Sequence, residues 1–189
     1  MTTLRERKKA ATRQSLHEAA LRLAMAGGLD NVTVEDIADE VGVSRRTFSN
    51  YFANKEDAVL HADRERMRRM LTLVRERPTA EPPWTALRHS ATELYGAATR
   101  PDPAWVAQLR LLRRHPSLLA RQAADQIALE RDLAEALTGR DRTDPELARL
   151  MAASFLAAVR TAGALRLEQA GEQPLPDLVD RLLDRVSFR

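Results

Sequence analysis

The chain has 189 residues, of which 44% are hydrophobic and 30% charged. That is enough apolar material to bury a core, and too much for a chain that stays unfolded. Cysteine is absent, which excludes disulfides, thiolate zinc sites, iron–sulfur clusters and thiol nucleophiles.

The formal net charge of +3 is local in origin. Residues 1–77 carry 15 basic and 12 acidic side chains, and the remainder carries 15 of each. Arg5, Arg7, Lys8, Lys9 and Arg13 stand against Glu6 alone, and Arg45, Arg46 and Lys55 have no acid among them. Glu35, Asp36, Asp39 and Glu40 lie between the two patches. The patches fit a polyanion-binding surface; they equally fit ordinary solvated helix faces. Uncharged stretches fall short of the ~18 apolar residues of a membrane span, and the basic start leads into no apolar signal run. A cytoplasmic protein without membrane contact is the expectation.

Nearly every segment reads as helix, because Ala, Leu, Arg and Glu dominate and alternating β-branched runs are scarce. The first helix spans about Leu4 to Met25, with Leu16, Ala19, Ala20, Leu23 and Ala24 in one apolar stripe. Its basic start is expected to be unstructured in solution and to track a DNA backbone or minor groove. Gly27 and Gly28 end it. Thr33 caps a short helix, with Asp36 three residues on as an acidic capping-box partner. Val34, Ile37, Ala38 and Val41 face inward there. Gly42 turns the chain, and Ser44 caps another short helix that includes Phe48 and Phe52. Asn54 then caps one long helix to about Arg77.

Pro78, Pro82 and Pro83 break the chain. Five helices follow, at about 84–99, 103–114, 116–138, 144–170 and 175–187, most of them opened by proline, whose missing N–H costs little there. The fold is therefore expected to be all-α, of about nine helices. The domains are expected to divide as 1–60, carrying the helix-turn-helix, and 61–189, helical.

Short helix, glycine turn, short helix is the helix-turn-helix pattern. Phe48 and Phe52 bury one face of the second helix and leave Arg45, Arg46, Thr47, Ser49 and Asn50 for others. A helix of this kind fits the major groove of B-DNA, ~12 Å wide. Arg45 has the geometry to donate two hydrogen bonds to guanine. Lys55, at a helix N-terminus, adds its charge to the positive end of the dipole, which attracts phosphate. Arg46 reads as a DNA contact or as a solvated partner of Glu40. Asn50 reads as a contact or as a plain exposed residue, and Tyr51 as a phosphate contact or as core with a wet hydroxyl.

Residues 16–60 resemble the DNA-binding domain of the tetracycline-repressor-like (TetR/AcrR) family. The resemblance runs through Val32-Thr33-Val34-Glu35-Asp36-Ile37-Ala38 and Val41-Gly42-Val43-Ser44. It continues through Arg46-Thr47-Phe48, Tyr51-Phe52 and Asn54-Lys55-Glu56-Asp57-Ala58. The family usually has an aromatic residue where this chain has Ser49, so looser packing or a changed phosphate contact is expected there. The resemblance implies a homodimeric helical regulator that represses transcription on double-stranded operator DNA and is released by a small molecule. It implies phosphate contacts from Thr33, Tyr51 and Lys55, and base or adjoining phosphate contacts from Ser44, Arg45 and Thr47. It also implies that ligand shifts the helix linking pocket to reading head, so that the two heads no longer match their half-sites.

Beyond about residue 65 that resemblance fades. Trp105, Leu109, Leu112, Leu118, Ile127, Phe155 and Val159 would suit an apolar effector pocket, or simply core. Arg113, with Arg110, Arg114 and His115, would hold a carboxylate or phosphate, or form a solvated face. Pro82-Pro83-Trp84 and the arginine-rich long helix resemble an acyl-CoA-responsive subgroup of the family, which implies an acyl-CoA effector. The last two long helices read as the homodimer surface, being apolar nearly all round with small residues at Ala153, Ala157, Gly163 and Ala164. No cofactor and no metal is expected: His17, His61, His89 and His115 show no ligand spacing and read as exposed or capping residues, and no catalytic motif appears. An activator, a global regulator and a helical scaffold that does not bind DNA are the remaining alternatives.

Overall fold

The computed structural model describes residues 3–96, 103–168 and 173–188. Among these there are ten α-helices, two 3-10 turns and no strand. They are α1 (Leu4–Gly27), α2 (Val34–Val41), α3 (Arg45–Ser49), α4 (Lys55–Val59) and α5 (His61–Glu76), then α6 (Pro83–Gly96), α7 (Pro103–Arg114), α8 (Pro116–Leu137), α9 (Pro145–Glu168) and α10 (Leu175–Leu183). The 3-10 turns cover Leu29–Asn31 and Arg140–Arg142. The expected helix ends at 97–99 and 169–170, and Pro101, lie outside the described residues.

Two compact units form. One joins residues 3–63 with 103–121, the other 64–96 with 122–168 and 173–188. The first unit thus takes in α7 and the start of α8, which the sequence reading grouped with the C-terminal part. Its core holds Leu16, Ile37, Ala38, Phe48, Val59 and Leu118, all essentially inaccessible to solvent. Burying each of these side chains other than Ala38 contributes about 1.5–3 kcal/mol relative to leaving it exposed. The second core is built on Val74, Leu87, Leu133, Leu137, Phe155 and Leu178. By length and composition α9 also resembles a membrane helix. Its Ala148, Ala152, Phe155 and Ala162 instead face this core.

The start of α1 is helical, not an unstructured tail. Thr3 caps it, its hydroxyl accepting from the Glu6 amide at 3.2 Å while Glu6 Oε2 accepts from the Thr3 amide at 2.7 Å. The long helix expected from 55 to 77 is two helices, interrupted at Leu60 (φ −84°, ψ 0°). The buried His17 ring explains the break. Its Nδ1 stands 2.7 Å from the Ala58 carbonyl, which a continuous helix would offer to the amide four residues on. A carbonyl only accepts, so Nδ1 carries the hydrogen.

In the second unit Arg140, 6% exposed, donates to the carbonyls of Val74 (2.7 Å), Pro78 (2.8 Å), Arg77 (3.3 Å) and Ala136 (3.1 Å). It thereby satisfies the end of α5, where helical carbonyls otherwise lack donors. Next to it Arg77 grips Glu81 bidentately at 2.7 and 2.8 Å, and His89 Nδ1 approaches the same carboxylate at 2.5 Å.

Arg77, and after it His89, hold the Glu81 carboxyl down to about 2 from its ordinary 4.5. A depressed carboxylate stabilises the fold above its unfolded pKa, and that contribution fades as pH falls through the folded value. Wild type should therefore exceed Glu81→Gln in melting temperature at neutral pH, with the gap closing between about pH 4.5 and 2. Thermal melts of both proteins across that range test it; a gap that stays constant contradicts it.

Candidate nucleic-acid interface

The candidate surface is assembled from short helices held by local caps. Thr33 opens α2: its hydroxyl accepts from the Asp36 amide at 3.1 Å, and Asp36 Oδ2 accepts from the Thr33 amide and hydroxyl at 2.8 and 2.7 Å. These bonds, chiefly the one from the Thr33 hydroxyl, hold the Asp36 carboxyl below its ordinary value. Gly42 closes α2 with φ +72°, the left-handed region that a side chain resists. Val43 then returns its amide to Ala38 at 2.9 Å. Ser44 caps α3, accepting from the Thr47 amide at 3.1 Å, with the two hydroxyls 2.9 Å apart.

One face of α3 is buried through Phe48, which meets Phe52 at 5.7 Å between ring centroids. Ser44, Arg45, Arg46, Ser49 and Asn50 are exposed, and Thr47 and Tyr51 are half-buried. The sequence-derived contacts Thr33, Ser44, Arg45, Arg46, Thr47, Asn50 and Tyr51 thus all belong to this unit, on α2, α3 and their flanks. Ser49 faces solvent, so no core packing depends on an aromatic residue there. Arg45 Nη1 pairs with Glu35 Oε1 at 2.9 Å, both side chains more than half exposed. Glu40 pairs with Arg22 at 3.3 Å. The Arg13 guanidinium lies 5.8 Å from the centre of the Tyr51 ring.

Lys55 departs from expectation. Its ammonium points away from a phosphate role and into the protein, donating to the carbonyls of Leu29 and Val32 at 2.8 Å each and of Asp30 at 3.4 Å. An ammonium has three donors, and all three are occupied. Lys55 ties α4 to the link between α1 and α2. No short-range signal marks this, since the acceptors lie 23–26 residues earlier.

Histidines also differ from the sequence reading. His17 is 1% and His61 9% exposed, and neither is a surface residue. Their rings meet edge-on at 5.7 Å, and His61 meets Phe52 at 5.4 Å. His89 is exposed beside Glu81, and His115 is half-buried. Among the described residues no cluster of metal-ligating side chains forms.

Residues expected to line a pocket are scattered. Trp105, Leu109 and Arg113 stand on α7 in the first unit; Ile127, Phe155 and Val159 stand on α8 and α9 in the second. Ile127 is 67% exposed, which corrects its assignment to a pocket. Phe155 is 1% exposed in the second core, with Val159 packed against that core and Leu109 against the first. Arg110, Arg113 and Arg114 are exposed. A groove of about 620 Å³ between α6 and α10 is lined by Arg88, Tyr95 and Asp180 among others, and a cavity of about 310 Å³ by Trp84, Met151 and Phe188 among others. Neither includes any of the six. Sequence reasoning missed Gln108 on α7. It is 1% exposed, and both polar atoms of its amide lack a hydrogen-bond partner.

Lys55→Met should act on stability more than on DNA affinity. Removing the ammonium takes a donor from the part-buried Val32 carbonyl and leaves Leu29 with the Val32 amide alone, at a cost of about 1–3 kcal/mol. Denaturant unfolding should report that loss, while the salt dependence of DNA binding should change by less than ~1 unit of slope. An unchanged stability with a flatter slope would return Lys55 to the phosphate contacts.

Comparison with known proteins agrees with this geometry. Residues 16–62 match the model of bacterial regulatory proteins of the tetR family, and residues 81–188 match the MftR C-terminal domain. The HTH-type transcriptional regulator TcmR of Streptomyces glaucescens is 33% identical over 147 residues, spanning 75% of this chain and 65% of that protein. The chain thus spans less than two thirds of TcmR. The HTH-type transcriptional repressor AcnR of Corynebacterium diphtheriae is 30% identical over 179 residues, 92% of this chain and 88% of AcnR. Of solved structures, the regulator FadR from Bacillus subtilis in complex with stearoyl-CoA shares the fold, with TM-score 0.58 and 20% identity over 90% of this chain and 95% of that one. The chain belongs to the TetR family of DNA-binding transcriptional regulators.

Proposed function

We propose that the protein represses transcription as a homodimer on a near-palindromic operator and is released by a small, largely apolar effector, with acyl-CoA the favoured class. The observation that carries the DNA half is α3: a five-residue helix seated on the buried Phe48, with Ser44, Arg45, Arg46, Ser49 and Asn50 facing solvent. In this reading residues 1–60 are the reading head and 61–189 the effector and dimer domain. Arg45 reads a guanine edge. Ser44 and Thr47 touch bases or adjoining phosphates, Thr33 and Tyr51 touch phosphates, and Arg46 and Asn50 add contacts at the edge. The name of AcnR supports repression.

Dimerisation through α9 and α10 is supported by apolar side chains that the chain itself leaves open. Leu150 is 56% exposed, and Leu156, Ala157, Ala164 and Leu165 on α9 are only half-buried. A two-fold pair would set two recognition helices one DNA turn apart, ~34–36 Å. The acyl-CoA reading is supported by the fold shared with the stearoyl-CoA complex. Gln108 is the polar anchor in this reading: a buried amide without partners costs about 1–3 kcal/mol until a ligand group satisfies it.

Fluorescence anisotropy on the DNA upstream of the protein's own reading frame, against scrambled DNA, tests the regulator. Wild type should prefer its own DNA, and Arg45→Ala should lose about 1–3 kcal/mol of that preference while keeping affinity for scrambled DNA. Equal losses on both DNAs would remove Arg45 from base reading. Stearoyl-CoA should release wild type, and Gln108→Leu should melt higher without ligand yet resist release. A lower melting temperature for Gln108→Leu would mean that the amide serves the fold.

A further inference from the structure

The first three turns of α1 extend beyond the core that holds the rest of the helix. Leu16, Ala19 and Ala20 are buried, and Leu23 packs against the same core. Residues 3–11 are exposed throughout. Positions seven apart in a helix return to nearly the same face, since seven residues make almost two turns. Tracing the buried lines back gives Lys9 from Leu23 and Leu16, Arg13 from Ala20, and Arg5 from Ala19 through Thr12. The stripe that is apolar inside the unit is thus cationic where the helix overhangs it.

The direction of the stripe follows from two contacts. The buried part of α1 packs on α2 and α4, under the reading surface. The Arg13 guanidinium sits over the ring of Tyr51, just past the end of α3. One acid, Glu6, lies on the same stripe seven residues before Arg13, and its carboxylate is turned back onto the Thr3 amide and hydroxyl at 2.7 and 2.9 Å. That same capping box fixes the overhang as helix, so the three cations are presented about 6 Å apart along its axis, at the 1.5 Å rise per residue. Phosphates along one DNA strand repeat on the same scale, and each neutralised phosphate releases condensed counterions.

We propose that the overhang of α1 is a second DNA-contacting element. Arg5, Lys9 and Arg13 form a helical rail that holds the phosphate backbone flanking the bases read from α3. It lengthens the footprint and strengthens binding to any sequence, and it reads no base. The inference rests on the DNA-binding reading of α2 and α3.

The test is anisotropy of the full chain on a labelled mixed-sequence duplex between about 50 and 200 mM salt, where affinity falls by about 0.9 log units per phosphate contact for each log unit of salt. The variant Arg5→Gln/Lys9→Gln/Arg13→Gln keeps helix-forming residues at exposed or half-exposed sites. It should flatten the slope by roughly two to three units per chain, with an unchanged melting temperature. Ala10→Pro keeps every charge and breaks the helix that aligns them, and it should flatten the slope by at least about one unit. A wild-type slope in either variant overturns the rail and leaves the reading of α2 and α3 intact. Wild-type protein that shows no salt-dependent binding overturns that reading, and the rail with it.

Discussion

Helices of eight and five residues do not persist in water on their own, because nucleation costs more than so few hydrogen bonds return. Everything at the reading surface depends on how α2 and α3 escape that limit. Part of the answer is local: Thr33, Ser44 and Asn54 each supply an oxygen to an otherwise orphaned amide. The rest is long-range. Phe48 and Ile37 anchor the two helices in one core, and Lys55 satisfies three carbonyls in the link that leads into α2. His17 completes the frame by taking the Ala58 carbonyl. The candidate surface can then be polar at Arg45, Arg46, Ser49 and Asn50, whose side chains make none of these cap bonds.

The second unit repeats the device. A buried guanidinium gathers carbonyls at the end of α5, as a half-buried ammonium gathers them at the 3-10 turn before α2. In both places a cation is placed where helical carbonyls accumulate negative charge. A buried charge is costly unless it is fully hydrogen-bonded, and Arg140 meets that condition with four acceptors. The expense falls on positions where a helix must end sharply. At α5 the sharp end lets the Pro78–Pro82 segment turn into α6.

What was legible in the sequence is what is decided within a few residues. The caps at Thr33, Ser44 and Asn54, the turn at Gly42 and the proline-opened helices α6 to α9 all follow from local chemistry. The apolar stripe of α1 and the inward pair Phe48 and Phe52 follow from helical periodicity. The misreadings share a different cause. His17 and Ala58 are 41 residues apart, and Lys55 is 23–26 residues from its carbonyls. Nothing near Leu60 announces that its helix is interrupted, because the interrupting group comes from α1. Ile127 fits an apolar pattern yet is exposed, since periodicity marks a face and not what covers it. Gln108 carried no signal at all: an amide among leucines looks like an ordinary helix position until its burial is known.

The pairing of Arg45 with Glu35 bears on how such a surface discriminates. Both side chains are largely exposed, and an ion pair of that kind contributes about 0.2–1 kcal/mol. A bidentate guanine contact is worth about 1–3 kcal/mol of discrimination against another base. On the proposed base-reading role of Arg45, exchange of Glu35 for a guanine edge is therefore favourable, whereas exchange for a base edge offering one acceptor gains little over the pair already made. Glu35 also places a negative charge beside α3, which pairing with Arg45 offsets. The cations of the proposed rail stand apart from this pair, on the exposed overhang of α1.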